Sequence, residues 1–324
     1  NACENVRENK EKKRMEKGYL GVMLDCSRNA VMSVAELKNF ILTLKKTGYN
    51  CLQLYTEDTY EIEGEPQFGY RRGKYTKAEL KEIDAFAKKN GVELMPCIQT
   101  LAHLNQIFRY PKYQNINDAN DILLVDDERT YELIEKMIAT CAECFTSRNI
   151  HIGMDEAHMI GRGKYFDLHG ASNRFNLLLR HLSRVTEIAG KYGFKPMMWS
   201  DMFFSIAGKG AYYHKKKIPA WVMEKVPENL QLVYWDYYNE EADLVDCMMQ
   251  HHLDFNREVW IAGGAWKWKG FESDNRKSLS QTKVLLCSAK KQGVNNILLT
   301  MWGDNGGECS PYAVLPSLVY AAEC

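Results

Sequence analysis

The chain has 324 residues, 45% of them apolar, enough to bury a large core and too many for disorder over most of its length. Its 42 Lys and Arg balance 42 Asp and Glu, so no overall field favours nucleic acid, anionic lipid or a polyanionic substrate, and any partner has to be recognised locally. No apolar run approaches the roughly 20 residues that a membrane-spanning helix needs.

Taken in chain order, Asn1-Ala2 without an initiator Met reads as a tag scar, and residues 1–17, rich in Glu, Lys and Arg, read as a charged arm. They show no apolar leader. Ten cysteines are scattered through the chain, several in apolar segments (Cys51, Cys97, Cys287), and read as free thiols rather than a disulfide framework. Together these features predict a cytoplasmic protein. From residue 18 the pattern becomes regular. Apolar runs of strand length recur at 19–24, 51–55, 93–98, 150–154, 196–199, 231–235, 259–262 and 297–302. Amphipathic stretches of helical period lie between them at 33–47, 77–89, 127–145, 172–192, 240–251 and 278–292. Gly48, Gly91, Gly193 and Gly293 sit where left-handed helix stops are expected. Alternation of this kind implies right-handed crossovers and a parallel sheet, and eight units predict a closed (β/α)8 TIM barrel over 18–324. Cys141 and Cys144 have CxxC spacing but fall inside a helical run, which argues against redox or zinc chemistry.

The chemistry of such a barrel sits where its strands end. The residues after the apolar runs are polar and aromatic: Asp25-Cys26-Ser27-Arg28, Thr56-Glu57-Asp58, Gln99 to His103, Asp155-Glu156, Ser200-Asp201, Asp236-Tyr237-Tyr238, Trp266-Lys267-Trp268 and Gly303-Asp304-Asn305. Any one of them could be a cap or a structural ion pair; their repetition predicts a concave, acidic, aromatic-walled cup. Sugars suit such a cup, because their C–H faces stack on rings while carboxylates and an Arg bind hydroxyls. Phosphorylated substrates do not, since neither GxGxxG nor GxxxxGK[ST] is present. Asp155-Glu156-Ala157-His158 spells a helicase DEAH box, but without a phosphate loop it carries no such meaning. HExxH spacing is also absent, and His151 reads as a packed barrel residue, so no metal is expected.

His151-Ile152-Gly153-Met154-Asp155-Glu156 matches in full the H-x-G-x-D-E motif at the fourth strand end of the family 20 glycoside hydrolases, the β-N-acetylhexosaminidases. The chain resembles that family from about Tyr19 to its carboxyl end, most closely the compact branches, and residues 1–18 do not resemble the small α/β domain that usually precedes the barrel. Arg28 resembles the family's sugar-hydroxyl Arg, His103 its third-strand His, and Trp199, Trp235 and Trp302 its pocket tryptophans. Trp302-Gly303-Asp304 is similar to its W-G-E, with Asp for Glu. Tyr237 is the nominated partner of the acetamido oxygen, with Tyr238 as the alternative. The resemblance implies exo-hydrolysis of terminal β-linked N-acetylglucosamine or N-acetylgalactosamine from a glycan or glycoconjugate, without a cofactor. Glu156 would be the acid/base, Asp155 would orient the substrate's acetamide as nucleophile, and Arg28 with Asp304 would bind hydroxyls. A non-catalytic sugar-binding barrel and a disaccharide-releasing enzyme are the competing readings. Consecutive strand residues face opposite sides, so the chain must leave strand geometry before both carboxylates can enter the cup. Of the seven tryptophans, at least one is expected to be ordinary barrel packing.

Overall fold

The computed structural model describes residues 18–207 and 210–324, so the arm expected at 1–17 lies outside the described residues. Eight parallel strands, β1 (Leu20–Asp25), β2 (Cys51–Thr56), β3 (Glu93–Ile98), β4 (Asn149–His151), β5 (Lys195–Trp199), β6 (Gln231–Trp235), β7 (Val259–Gly264) and β8 (Asn296–Met301), pair in chain order and close through β8 and β1. The fold is the (β/α)8 barrel that the alternation predicted.

The outer helices form where an apolar stripe coincides with good termini. In Val34–Lys46 the buried residues Leu37, Phe40, Ile41 and Leu44 follow helical spacing, and the Ser33 side chain accepts the Glu36 N–H. Lys77–Lys89 opens with a reciprocal capping box between Thr76 and Glu79. Gly48, Gly91, Gly193 and Gly293 all have φ between 73° and 92°, the left-handed conformation that frees the chain for the next strand. The last long helix starts at Asn275, three residues before the predicted 278, because Asp274 caps the Lys277 N–H.

The fourth strand departs most from expectation. The apolar run 150–154 predicts a strand, whereas β4 ends at His151 and meets β3 only through Cys97 and His151. The reason is backbone chemistry: Gly153 and Met154 adopt φ of 70° and 71°, which no strand accommodates. Helices also appear where none was predicted, at Asn105–Phe108, Pro111–Gln114, Lys164–His169, Asp201–Ala207, Ala220–Met223 and Leu315–Glu323.

Inside the barrel, Met23, Cys51, Tyr55, Met95, Cys97, Met197, Trp199, Val233, Trp260, Ala262 and Leu298 fill the space below the site. Trp260 is the packing tryptophan. It lies near the amino end of β7, stacks on Tyr19 at 4.8 Å between ring centroids and donates to Gln231 Oε1 at 2.8 Å. Cys141 and Cys144 are buried in the helix Glu128–Cys144. No helix among the described residues is long and apolar enough to cross a membrane.

Candidate active site

The turn after β4 brings two consecutive carboxylates to the same place. His151 Nδ1 accepts the Gly153 N–H at 3.0 Å, and its ring packs on Trp199 at 4.3 Å. Burial lowers the His151 pKa to about 3, so this imidazole is a neutral structural residue. Beyond it, Gly153, Met154 and Glu156 all have left-handed φ, and the change of direction sends both Asp155 and Glu156 toward the barrel mouth. The glycine has a second reason to be there. A Cβ at position 153 would lie 2.1 Å from Gln99 Oε1.

Gln99, just past β3, uses its whole amide at this junction. Oε1 accepts the Met154 N–H at 3.2 Å, while Nε2 donates to Asp155 Oδ1 at 2.8 Å and to Tyr55 Oη at 3.1 Å. His103 completes the hold on Asp155. Its backbone, at φ 59°, is fixed by donation to Asp121 Oδ2 at 3.0 Å. Its Nε2 lies 3.2 Å from Asp155 Oδ2 and 3.8 Å from Glu156 Oε2. Burial alone would lower the His103 pKa, but Asp155, Glu57 and Glu156 carry it up to about 10, so it is a cation at neutral pH.

Opposite shifts follow on the two carboxylates. Burial pushes Asp155 up, yet the His103 cation and the Gln99 donor outweigh it and hold Asp155 below the ordinary range. Burial and the Asp155 charge raise Glu156, against partial relief from His103. Asp201, after β5, accepts the Glu156 N–H through Oδ2 at 3.0 Å and thereby pins the left-handed Glu156 backbone; burial and Asp155 raise its own pKa.

Aromatic rings form the wall. Trp199 is fully buried at the end of β5, 6.0 Å from Trp302 at the end of β8, and Tyr237 stacks on Trp235 at 5.3 Å. Trp302 Nε1 donates to Tyr237 Oη at 3.0 Å, and the Thr300 hydroxyl, which donates to the Gly263 carbonyl, also lies against the Tyr237 phenol. At the rim, Arg28 Nη2 reaches Glu57 Oε1 at 3.1 Å and Nη1 lies 4.0 Å from Asp304 Oδ1. Asp25 Oδ2 accepts the Gly303 N–H at 2.8 Å and ties the first and last strand ends together.

Arg28, His103, Asp155, Glu156, Trp199, Trp235, Tyr237, Trp302 and Asp304 thus line one cavity of about 270 Å³. Tyr238 lines it too, but half exposed at the rim, while Tyr237 is buried in the wall. Tyr55 and Trp268 also line it and were not singled out from the sequence; Gln99, Glu57 and Asp201 stand directly behind. The last three and Trp268 belonged to polar or aromatic strand ends, which was the available signal. Tyr55 looked like the last residue of an apolar run. Among the described residues no three His, Cys, Asp or Glu side chains are arranged to hold a metal ion.

Comparison with known proteins shows the family and the fold. The glycosyl hydrolase family 20 catalytic domain matches residues 18–305. Hexosaminidase D of Bos taurus is 24% identical over 221 residues, covering 65% of this chain and 60% of that protein. Hexosaminidase D of Homo sapiens is 24% identical over 225 residues, covering 65% and 43%. A β-N-acetylhexosaminidase from Bacteroides fragilis superposes with a TM-score of 0.71 at 18% identity, over 95% of this chain and 65% of its own. The chain therefore spans less than two thirds of each relative's length. With its family match running through the motif that carries Asp155 and Glu156, the chain belongs to glycosyl hydrolase family 20.

Proposed function

We propose that the protein removes terminal, non-reducing β-linked N-acetylhexosamine from glycans or glycoconjugates by retaining hydrolysis in which the substrate's own acetamide is the nucleophile. The observation that carries this reading is the convergence of Asp155 and Glu156 on one nitrogen of a cationic His103, with their pKa values driven apart. A carboxylate nucleophile would have to face the acid across the sugar, about 5 Å away. Two neighbours sharing one imidazolium suit a different division of labour.

In that division, Glu156 donates its proton to the glycosidic oxygen as the acetamido oxygen attacks the anomeric carbon and the exocyclic C–O bond breaks. Asp155, ionised and fixed by Gln99 and His103, accepts the acetamide N–H and stabilises the charge that develops on the cyclic oxazolinium. Tyr237, held by the Trp302 N–H, turns its phenolic hydrogen to the acetamido oxygen. Trp199, Trp235 and Trp302 enclose the N-acetyl group and the sugar face, and Arg28 with Asp304 binds the far hydroxyls. Glu156, now a carboxylate, takes a proton from water, which adds to the anomeric carbon and opens the ring with retention. Buried thiols such as Cys26, Cys51 and Cys97 support a reducing, cytoplasmic setting.

The test is a panel of nitrophenyl glycosides. N-acetylglucosaminide or N-acetylgalactosaminide should be cleaved and glucoside left intact, with strong inhibition by a thiazoline mimic of the intermediate. Comparable turnover of glucoside and N-acetylglucosaminide would refute the reading, and release of intact lacto-N-biose would replace exo-cleavage by disaccharide release.

A further inference from the structure

Behind the cavity a chain of hydrogen bonds runs from Asp155 to Arg28, and the reaction above gives its middle member, Tyr55, no role. Asp155 Oδ1 accepts from Gln99 Nε2 at 2.8 Å, and the same nitrogen donates to Tyr55 Oη at 3.1 Å. Tyr55 donates to Glu57 Oε1 at 3.2 Å, which also accepts from Arg28 Nη2 at 3.1 Å. The chain therefore joins the carboxylate assigned to the acetamide with the Arg28–Asp304 pair assigned to the far hydroxyls.

Every bond in it has one possible direction. The Met154 N–H can only donate, so it holds Gln99 Oε1 on its own side and turns Nε2 toward Asp155 and Tyr55. Tyr55 Oη receives that N–H, which leaves its single hydrogen for the Glu57 carboxylate. Burial and the charges of Glu57 and Asp155 hold the Tyr55 pKa well above its usual 10, so the hydrogen stays on the phenol.

The two ends differ in how firmly they are held. Tyr55 is fully buried at the end of β2, edge-on to Trp302 at 4.7 Å, with Gln99 and Glu57 buried beside it. Arg28 keeps 27% of its side chain exposed, and its Nη1 stands 4.0 Å from Asp304 Oδ1, longer than a hydrogen bond. A sugar hydroxyl can bridge that gap, accepting from the guanidinium and donating to the carboxylate.

We propose that Tyr55 is a positioning residue that ties recognition of a far hydroxyl to the alignment of Asp155, so that the enzyme discriminates among sugars in kcat and not in KM alone. The proposal rests on the hydrolase reading given above. A hydroxyl bound between Arg28 and Asp304 fixes the guanidinium, and Glu57, Tyr55 and Gln99 carry that restraint to Asp155 Oδ1, while His103 holds Oδ2. Binding far from the anomeric carbon thereby acts where the acetamide has to be aligned.

The experiment measures kcat and KM for the nitrophenyl N-acetylhexosaminide that is cleaved and for its 3-deoxy and 4-deoxy analogues. In wild type, loss of the hydroxyl that Arg28 binds should lower kcat by roughly tenfold and also raise KM. Tyr55→Phe keeps the ring against Trp302; it should lower kcat for the parent substrate by roughly tenfold with KM within about twofold. Its deoxy penalty in kcat should shrink to about twofold or less while the penalty in KM remains, because the two losses share one chain. Glu57→Gln still accepts from Tyr55 but no longer pairs with Arg28 as an ion, so it should erase the same penalty, and it decides the case if Tyr55→Phe does not fold. A residue that only packs would move Tm and leave the losses additive. Additive losses in the folded variants, or a wild-type deoxy penalty confined to KM, would overturn the role of Tyr55 while the hydrolase reading stood. Inactivity toward every nitrophenyl N-acetylhexosaminide would instead remove the hydrolase reading and this role with it.

Discussion

Gly153→Ala tests the link between the β4 turn and the catalytic carboxylates. Two costs are separable. The backbone at position 153 has φ of 70°, and an alanine held in the left-handed region costs roughly 1–2 kcal/mol. The added Cβ would also lie 2.1 Å from Gln99 Oε1 and 2.9 Å from the Ile98 carbonyl oxygen. Gln99 must move, and its three hydrogen bonds to Met154, Asp155 and Tyr55 go with it. At about 1 kcal/mol each, and with the Met154 N–H left without its acceptor, this adds about 3 kcal/mol. Gly193 supplies the control: it has φ of 73° and no atom within 4 Å of its ideal Cβ, so Gly193→Ala carries the backbone cost alone. Urea unfolding of both variants should therefore separate them by about 3 kcal/mol. Gly153→Ala should also lose activity in the folded fraction, because a shift of about 1 Å in a positioning group can cost a hundredfold. Equal destabilisation of the two variants, or full activity of folded Gly153→Ala, would refute the reasoning.

Glu156→Gln should cripple hydrolysis of substrates with poor leaving groups far more than activated nitrophenyl ones, and azide should rescue the activated ones as glycosyl azide; Asp155→Asn should slow both classes, and losses independent of leaving group for both variants would argue against the assigned roles. In His103→Gln the Asp155 carboxyl loses the cation that holds it down, and Glu156 loses its partial relief. Both pKa values rise, so the acid limb of the kcat/KM profile, set by protonation of Asp155, and the alkaline limb, set by ionisation of Glu156, should both move to higher pH. The stability that protonated His103 contributes is full below its usual 6.5 and lost as pH rises through about 10, so wild type and variant should converge in Tm over that window. Tyr237→Phe should lower kcat more than it raises KM and cost about 1 kcal/mol through the unpaired Trp302 N–H, whereas a slow, stable Tyr238→Phe beside an active Tyr237→Phe would move the acetamide contact to the rim.

Much of this site is legible in the sequence because a barrel converts the order of strand ends into proximity. Arg28 and Asp304 lie at opposite ends of the chain yet 4.0 Å apart, which follows once β1 and β8 are neighbours. The fourth strand is where hydrophobicity misleads. Ile152 and Met154 are as apolar as strand residues, but they are buried by a turn, and the cues to it are Gly153 and the adjacent Asp155-Glu156 pair, which a continuing strand would send to opposite sides. Trp199 and Trp260 occupy similar apolar runs and serve opposite ends of the barrel; the distinguishing cue is that Trp199 closes β5 while Trp260 is the second residue of β7. Gln99 and Asp201 were not legible as supports, because their importance lies in contacts to the backbone of residues 154 and 156, and no pattern of residue types encodes those.

The claim that the acetamide oxygen is the nucleophile is tested most directly by a series of nitrophenyl hexosaminides bearing acetyl, monofluoroacetyl, difluoroacetyl and trifluoroacetyl groups. Fluorine drains that oxygen of nucleophilicity while barely changing shape. Substrate-assisted hydrolysis predicts that kcat/KM falls with every added fluorine, by ~10-fold or more across the series, which is about 1.4 kcal/mol of barrier. A flat series would show that the oxygen does not attack, and would assign the nucleophile to the protein.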